Sequence, residues 1–134
     1  MSRAVAIEVS HLGKTYEKVR AVDDLSFQVY AGEIFGLLGP NGAGKSTTLR
    51  ILITLLHPTS GSATILGMDS VKDADRVRKT IGYVPQERAI DRFLTGREHL
   101  ELLADLYHLS PEDASTRIPQ LLKLVELEQQ ADRP

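Results

Sequence analysis

Gly39-Pro40-Asn41-Gly42-Ala43-Gly44-Lys45-Ser46 fits the pattern G-x-x-x-x-G-K-[ST], and each fixed position has a job to do at an oligophosphate. Glycines, having no Cβ, let the backbone turn tightly enough for successive N–H groups to point at phosphate oxygens. Lys45 adds a mobile positive charge, and the Ser46 hydroxyl is placed to ligate a Mg²⁺ that bridges the phosphates. A helix starting here contributes unpaired amides and the positive end of its macrodipole. Chance alone produces such a match in roughly 0.5% of chains of this length. The alternative is a glycine-rich turn with an incidental lysine, so the flanking elements decide.

Those elements come in the order the chemistry needs. Residues 33–38 are a short apolar run of strand length, as expected of a buried parallel strand feeding the loop. Beyond the loop, Leu49, Ile51, Leu52, Leu55 and Leu56 fall at helical spacing, and Pro58 with Gly61 closes that helix. Strand, loop and helix make this a phosphate-binding P-loop within an α/β fold.

Earlier in the chain, Val5, Ile7 and Val9 alternate with Ala6, Glu8 and Ser10, which predicts a strand over residues 4–12 and a turn over 13–16. Residues 25–29 alternate again, so the chain opens with a small antiparallel sheet. A further strand is expected over residues 62–66 and a charged helix over 70–79, where acids interspersed among Lys72, Arg76, Arg78 and Lys79 favour a solvated face. Residues 80–84 read as another strand, stopped by Pro85 and Gln86. Thr95 and Glu98 have the spacing of a capping box. Ser110-Pro111-Glu112-Asp113 starts a second helix, in which Pro119 predicts a kink or break.

Composition narrows the function classes. With 134 residues the chain is one domain at most. Sixteen basic residues against 18 acidic ones give a net charge of -2, so no global field recruits nucleic acid or anionic lipid. The absence of cysteine excludes disulfides and thiolate metal sites and fits a reducing cytoplasm. No apolar run approaches a membrane span, and Glu8 interrupts any export signal. His11, His57, His99 and His108 show no ligand spacing and no carboxylate partner pattern, and read as bystanders.

At the P-loop, taken with Tyr16 and Val84-Pro85-Gln86, the chain resembles the nucleotide-binding domain of ABC transporter ATPases. The similarity runs over nearly the whole length, including Asp24-Leu25-Ser26-Phe27, Gly32-Glu33-Ile34 and Pro58-Thr59-Ser60-Gly61. Within the family, the stretch from Pro85 to Leu109 is similar to bacterial drug and antibiotic exporters of the daunorubicin-resistance type.

The resemblance implies specific roles. ATP is expected on Tyr16, Gly39, Pro40, Asn41, Gly42, Ala43, Gly44, Lys45, Ser46 and Thr47, with Mg²⁺ on Ser46 and Gln86. Tyr16 matches the aromatic that stacks on adenine, Thr47 the residue for the α-phosphate, and Gln86 the glutamine of the Q-loop. The expected fold is an α/β P-loop NTPase with an antiparallel β subdomain at residues 1–33 and 61–68. Residues 34–60 and 69–86 fall in its P-loop core, and 87–134 in the Q-loop and the start of a helical subdomain. The family's LSGGQ-type signature, the acidic end of its Walker B strand and its switch histidine have no counterpart in the sequence, so no catalytic residue is assigned. The chain therefore reads as the N-terminal portion of one such domain, with negligible turnover of its own.

The function implied for the complete subunit is ATP hydrolysis that powers export through an integral membrane partner. Its implied setting is a dimer with a second ATP-binding subunit, peripheral on the inner face of the cell membrane, with no nucleic-acid partner. The competing reading is a soluble ABC-type ATPase of DNA repair or translation, without a membrane partner.

Overall fold

The structure, a computed structural model, describes residues 3–86 and 91–133. They fall into two compact units, one running to Val84 and the other starting at Pro85. The elements of the first unit are β1 (Val5–Tyr16), β2 (Val19–Tyr30), α1 (Lys45–Leu52), β3 (Ser60–Ile65), β4 (Met68–Asp69) and α2 (Ala74–Arg78). Those of the second are α3 (Gly96–Leu106), α4 (Pro111–Leu124) and a 3-10 turn at Glu128–Gln130.

The first unit is built on an antiparallel sheet of order β2-β1-β3-β4. β1 runs through residues 13–16, where a turn is expected from the sequence, because Lys14, Thr15 and Tyr16 pair with Val22, Arg20 and Val19. Gly13 also pairs with Ser60 of β3, so this part of β1 has a partner on each side. Register shifts around residues 9–12 accommodate His11, whose φ of 48° lies in the left-handed region. One face of the sheet and the inner face of α1 then enclose Val9, Leu12, Val22, Ile51, Leu52, Ala63 and Ile65, with Val77 of α2 completing the cluster.

Two of the expected strands are not strands. Residues 33–38 and 80–84 have no ladder, and Ile34 and Val84 are 101% and 92% exposed. An apolar run becomes a strand only when neighbours take its N–H and C=O groups. Among the described residues no segment flanks either run. Phe35 is anchored by stacking on Phe27 of β2, with ring centroids 5.0 Å apart, and Ile81 packs partly buried against the core. The helix expected over residues 70–79 shortens to α2, since the Asp69 carboxylate instead accepts from the amides of Val71 and Lys72 and turns the chain there.

In the second unit the expected caps are present. Thr95 and Glu98 form a reciprocal capping box, and the Ser110 hydroxyl accepts from the Asp113 amide with Pro111 in the first turn. α4 continues through Pro119 without a break. Ile118 and Leu122, on either side, bury against Ala131, Leu100 and Ala114, which offsets the hydrogen bond the proline forfeits.

Candidate functional site

Gly44 and the start of α1 set the geometry of the P-loop. Gly44 has φ 83°, ψ 3°, a left-handed conformation that turns the chain into the helix. A Cβ at this position would overlap the carbonyl oxygen of Ala21 and stand 3.1 Å from Val22 Cγ2. The loop therefore leaves against β2 as closely as the backbone permits. Gly42 shares the φ of 83° but has open space around it, so it is required for conformation alone. Between them, the Ala43 amide donates to the Pro40 carbonyl at 3.2 Å and closes the turn.

The loop opens onto a turn of available donors. The first amides of a helix have no intrahelical partner, and at α1 no side chain caps them and no acid stands in the first turn. Ser46 is exposed and Thr47 half-buried, and among the described residues neither hydroxyl has a hydrogen-bond partner. Thr48, by contrast, turns inward, 1% exposed, and donates to the Gly44 carbonyl at 3.0 Å. The Lys45 ammonium curls back and donates to the carbonyls of Gly39 and Pro40, both at 2.6 Å. A free turn of amides, two free hydroxyls and a cation on a flexible stem form a donor set that fits a nucleotide triphosphate with its Mg²⁺.

Tyr16 lies at the end of β1, opposite Val19 and 42% exposed. Two residues before it, Lys14 pairs with Val22, the same residue that approaches Gly44. The β1–β2 ribbon thus ties the aromatic residue to the exit of the P-loop. Gln86 belongs to the second unit and is exposed. Residues 87–90, expected in the Q-loop, lie outside the described residues.

The structure adds features that the sequence does not announce. The Lys14 ammonium lies over the Tyr16 ring, 5.2 Å from its centroid, and donates to the His57 carbonyl at 2.9 Å. Its only signal in the sequence is the two-residue spacing, which places both side chains on one face of a strand. The reading of His11 needs correction: its Nδ1 stands 2.7 Å from Asp24 Oδ1, because the β1 irregularity brings together residues 13 apart in sequence. Among the described residues no group of three or more His, Cys, Asp or Glu side chains is placed to hold a metal. Nor is any described helix long and apolar enough to cross a membrane.

Comparison with known proteins gives a consistent result. A family model described as "ABC transporter" matches residues 22–134. The Nod factor export ATP-binding protein I of Sinorhizobium fredii is 43% identical over 130 residues, covering 97% of this chain and 38% of that protein. The daunorubicin/doxorubicin resistance ATP-binding protein DrrA of Streptomyces peucetius is 45% identical over 117 residues, covering 87% of this chain and 36% of that protein. A solved structure described as the ATP binding subunit of an ABC transporter superposes with a TM-score of 0.78 at 35% identity, over 95% of this chain and 53% of that one. The chain spans about two fifths of the length of these curated relatives.

Proposed function

We propose, on the premise that the chain belongs to the ABC transporter family, that it holds ATP and Mg²⁺ at its P-loop and that the complete subunit hydrolyses ATP to drive export. The observation that carries this reading is the turn of uncapped amides at the start of α1, with Lys45 donating, among the described residues, to the carbonyls of Gly39 and Pro40. A polyphosphate offers the Lys45 ammonium better acceptors than two neutral carbonyls do, because charge-assisted hydrogen bonds are roughly twice as strong as neutral ones. The loop amides and the amides of Lys45, Ser46 and Thr47 bind phosphate oxygens, the Ser46 hydroxyl and the Gln86 side-chain carbonyl hold Mg²⁺, and Tyr16 stacks on the adenine. Gly39, Pro40, Asn41, Gly42, Ala43 and Gly44 form the cradle.

Hydrolysis further requires a group that positions or deprotonates water. None of the site residues supplies one, so our reading assigns the 134 residues nucleotide binding without measurable turnover. The relatives' names, a Nod factor export and a daunorubicin/doxorubicin resistance ATP-binding protein, support an exporter subunit acting with an integral membrane partner and a second ATP-binding subunit. That role places it on the inner face of the cell membrane.

Titration of the chain with a fluorescent ATP analogue in Mg²⁺ tests the binding site. Saturable binding that is weakened in both Lys45→Ala and Tyr16→Ala is expected, and no saturation in the parent chain would defeat the assignment. Phosphate release above that of Lys45→Ala would defeat the claim of no turnover. Co-purification of the complete subunit with an integral membrane protein tests the exporter reading against a soluble repair or translation role.

A further inference from the structure

Lys14 has two fixed partners. It is half-buried between β1 and the loop after α1, its ammonium 2.9 Å from the His57 carbonyl and 5.2 Å from the centroid of the Tyr16 ring. The anchor at His57 matters because a lysine stem is otherwise mobile, and an ammonium contributes to a ring only while it stays over the face. The backbone next to it is fixed as well, with the Thr15 amide donating to Thr59 Oγ1 at 3.1 Å and Lys14 in register with Val22. Tyr16 is nevertheless 42% exposed, so the side chain keeps surface available to a ligand.

We propose that Lys14 is a positioning residue for the base of the nucleotide: clamped on His57, its ammonium covers one face of Tyr16 and leaves the other as the stacking platform. This inference rests on the reading of Tyr16 as the adenine platform. Two effects follow from the geometry. The cation restrains the ring's rotation, so stacking orders fewer degrees of freedom. It also draws ring electron density toward itself, which makes the free face a better partner for an electron-rich purine. Lys14 acts through the ring and does not touch phosphate. Its contribution therefore depends on the base and vanishes when the ring is removed.

The test measures ATP and inorganic tripolyphosphate binding by the chain carrying Lys14→Met, Lys14→Arg, Tyr16→Ala, or Lys14→Met with Tyr16→Ala. A cation–π contact of ordinary strength predicts that Lys14→Met weakens ATP about 2- to 5-fold, and that Lys14→Arg restores much of it. Tripolyphosphate binding is expected to be unchanged in Lys14→Met, and the double variant to bind ATP no worse than Tyr16→Ala. An equal loss for tripolyphosphate, or a further loss in the Tyr16→Ala background, would show that Lys14 meets phosphate directly and overturn the inference. Unchanged ATP binding in Lys14→Met would overturn it while leaving the nucleotide site standing, whereas a parent chain that binds no ATP would overturn both. A measurement that needs no folded variant at position 14 is the NMR shift of the Lys14 ε-methylene protons. Ring current should move them upfield in the parent chain, and normal shifts there would refute the contact.

Discussion

Gly44 and the carbonyl of Ala21 lie so close that no side chain fits between them. This places the exit of the P-loop directly on β2, and it separates two glycines that share a φ of 83°. Gly44→Ala adds a backbone overlap to the left-handed penalty, whereas Gly42→Ala meets open space and bears the penalty alone, about 1–2 kcal/mol. Urea unfolding is expected to show the larger loss for Gly44→Ala, with nucleotide binding abolished. Equal losses in the two variants would contradict the packing of Gly44 on β2.

Lys45 is held by two carbonyls on an exposed loop, where water is a ready substitute. Lys45→Ala is therefore expected to leave the unfolding midpoint nearly unchanged. ATP affinity should fall about 10- to 100-fold, the loss expected for charge-assisted hydrogen bonds of about 1.5–3 kcal/mol. A large loss of stability would mean that the lysine is a structural clasp of the loop.

In the second unit two carboxylates respond to acid in the same sense. Hydrogen bonds from Thr95 hold the Glu98 carboxyl below its ordinary range, and the Arg97 guanidinium, donating from Nε to Asp132 Oδ1 at 2.7 Å, does the same to Asp132. A carboxylate with a lowered folded pKa stabilises above its unfolded value, about 4 for these groups, and that contribution disappears as pH falls through the folded value. The unit is expected to lose helicity on acidification below about pH 4, less steeply in Glu98→Gln. Thr95→Ala should cost about 1 kcal/mol at neutral pH, as loss of an N-cap does. Circular dichroism against pH and urea checks both expectations.

Ser70 is 2% exposed, and its hydroxyl has no hydrogen-bond partner among the described residues. Removing an unsatisfied buried hydroxyl relieves a desolvation penalty of about 1–3 kcal/mol and leaves a cavity of one atom. Ser70→Ala is expected to be neutral or stabilising in urea unfolding. A clear destabilisation would show that an ordered water serves the hydroxyl.

Ile34 and Leu38, 101% and 92% exposed, present an apolar run to solvent. Ile34→Lys is expected to change stability by less than about 0.5 kcal/mol, as surface substitutions do, and to reduce concentration-dependent association. Sedimentation at several concentrations, alongside urea unfolding, tests this. A strongly destabilised variant would mean that Ile34 is buried after all.

The parts of the molecule that depend on local chemistry were legible in the residues. The G-x-x-x-x-G-K-[ST] spacing locates the loop and the start of α1, and Thr95 with Glu98 and Ser110 with Pro111 locate the starts of α3 and α4, because a cap or a tight turn is made within a few residues. Family membership followed from the same motifs and is shown by the match over residues 22–134. Features that depend on distant partners were decided only by the tertiary structure. Residues 13–16 extend β1 because β2 and β3 flank them, while residues 33–38, more apolar and more strand-like in sequence, stay outside any sheet for want of flanking backbone. The inward turn of Thr48, the seat of Gly44 on Ala21 and the ammonium of Lys14 over Tyr16 arise in the same way. Each requires two segments to meet, and a linear pattern records the segments without recording the meeting.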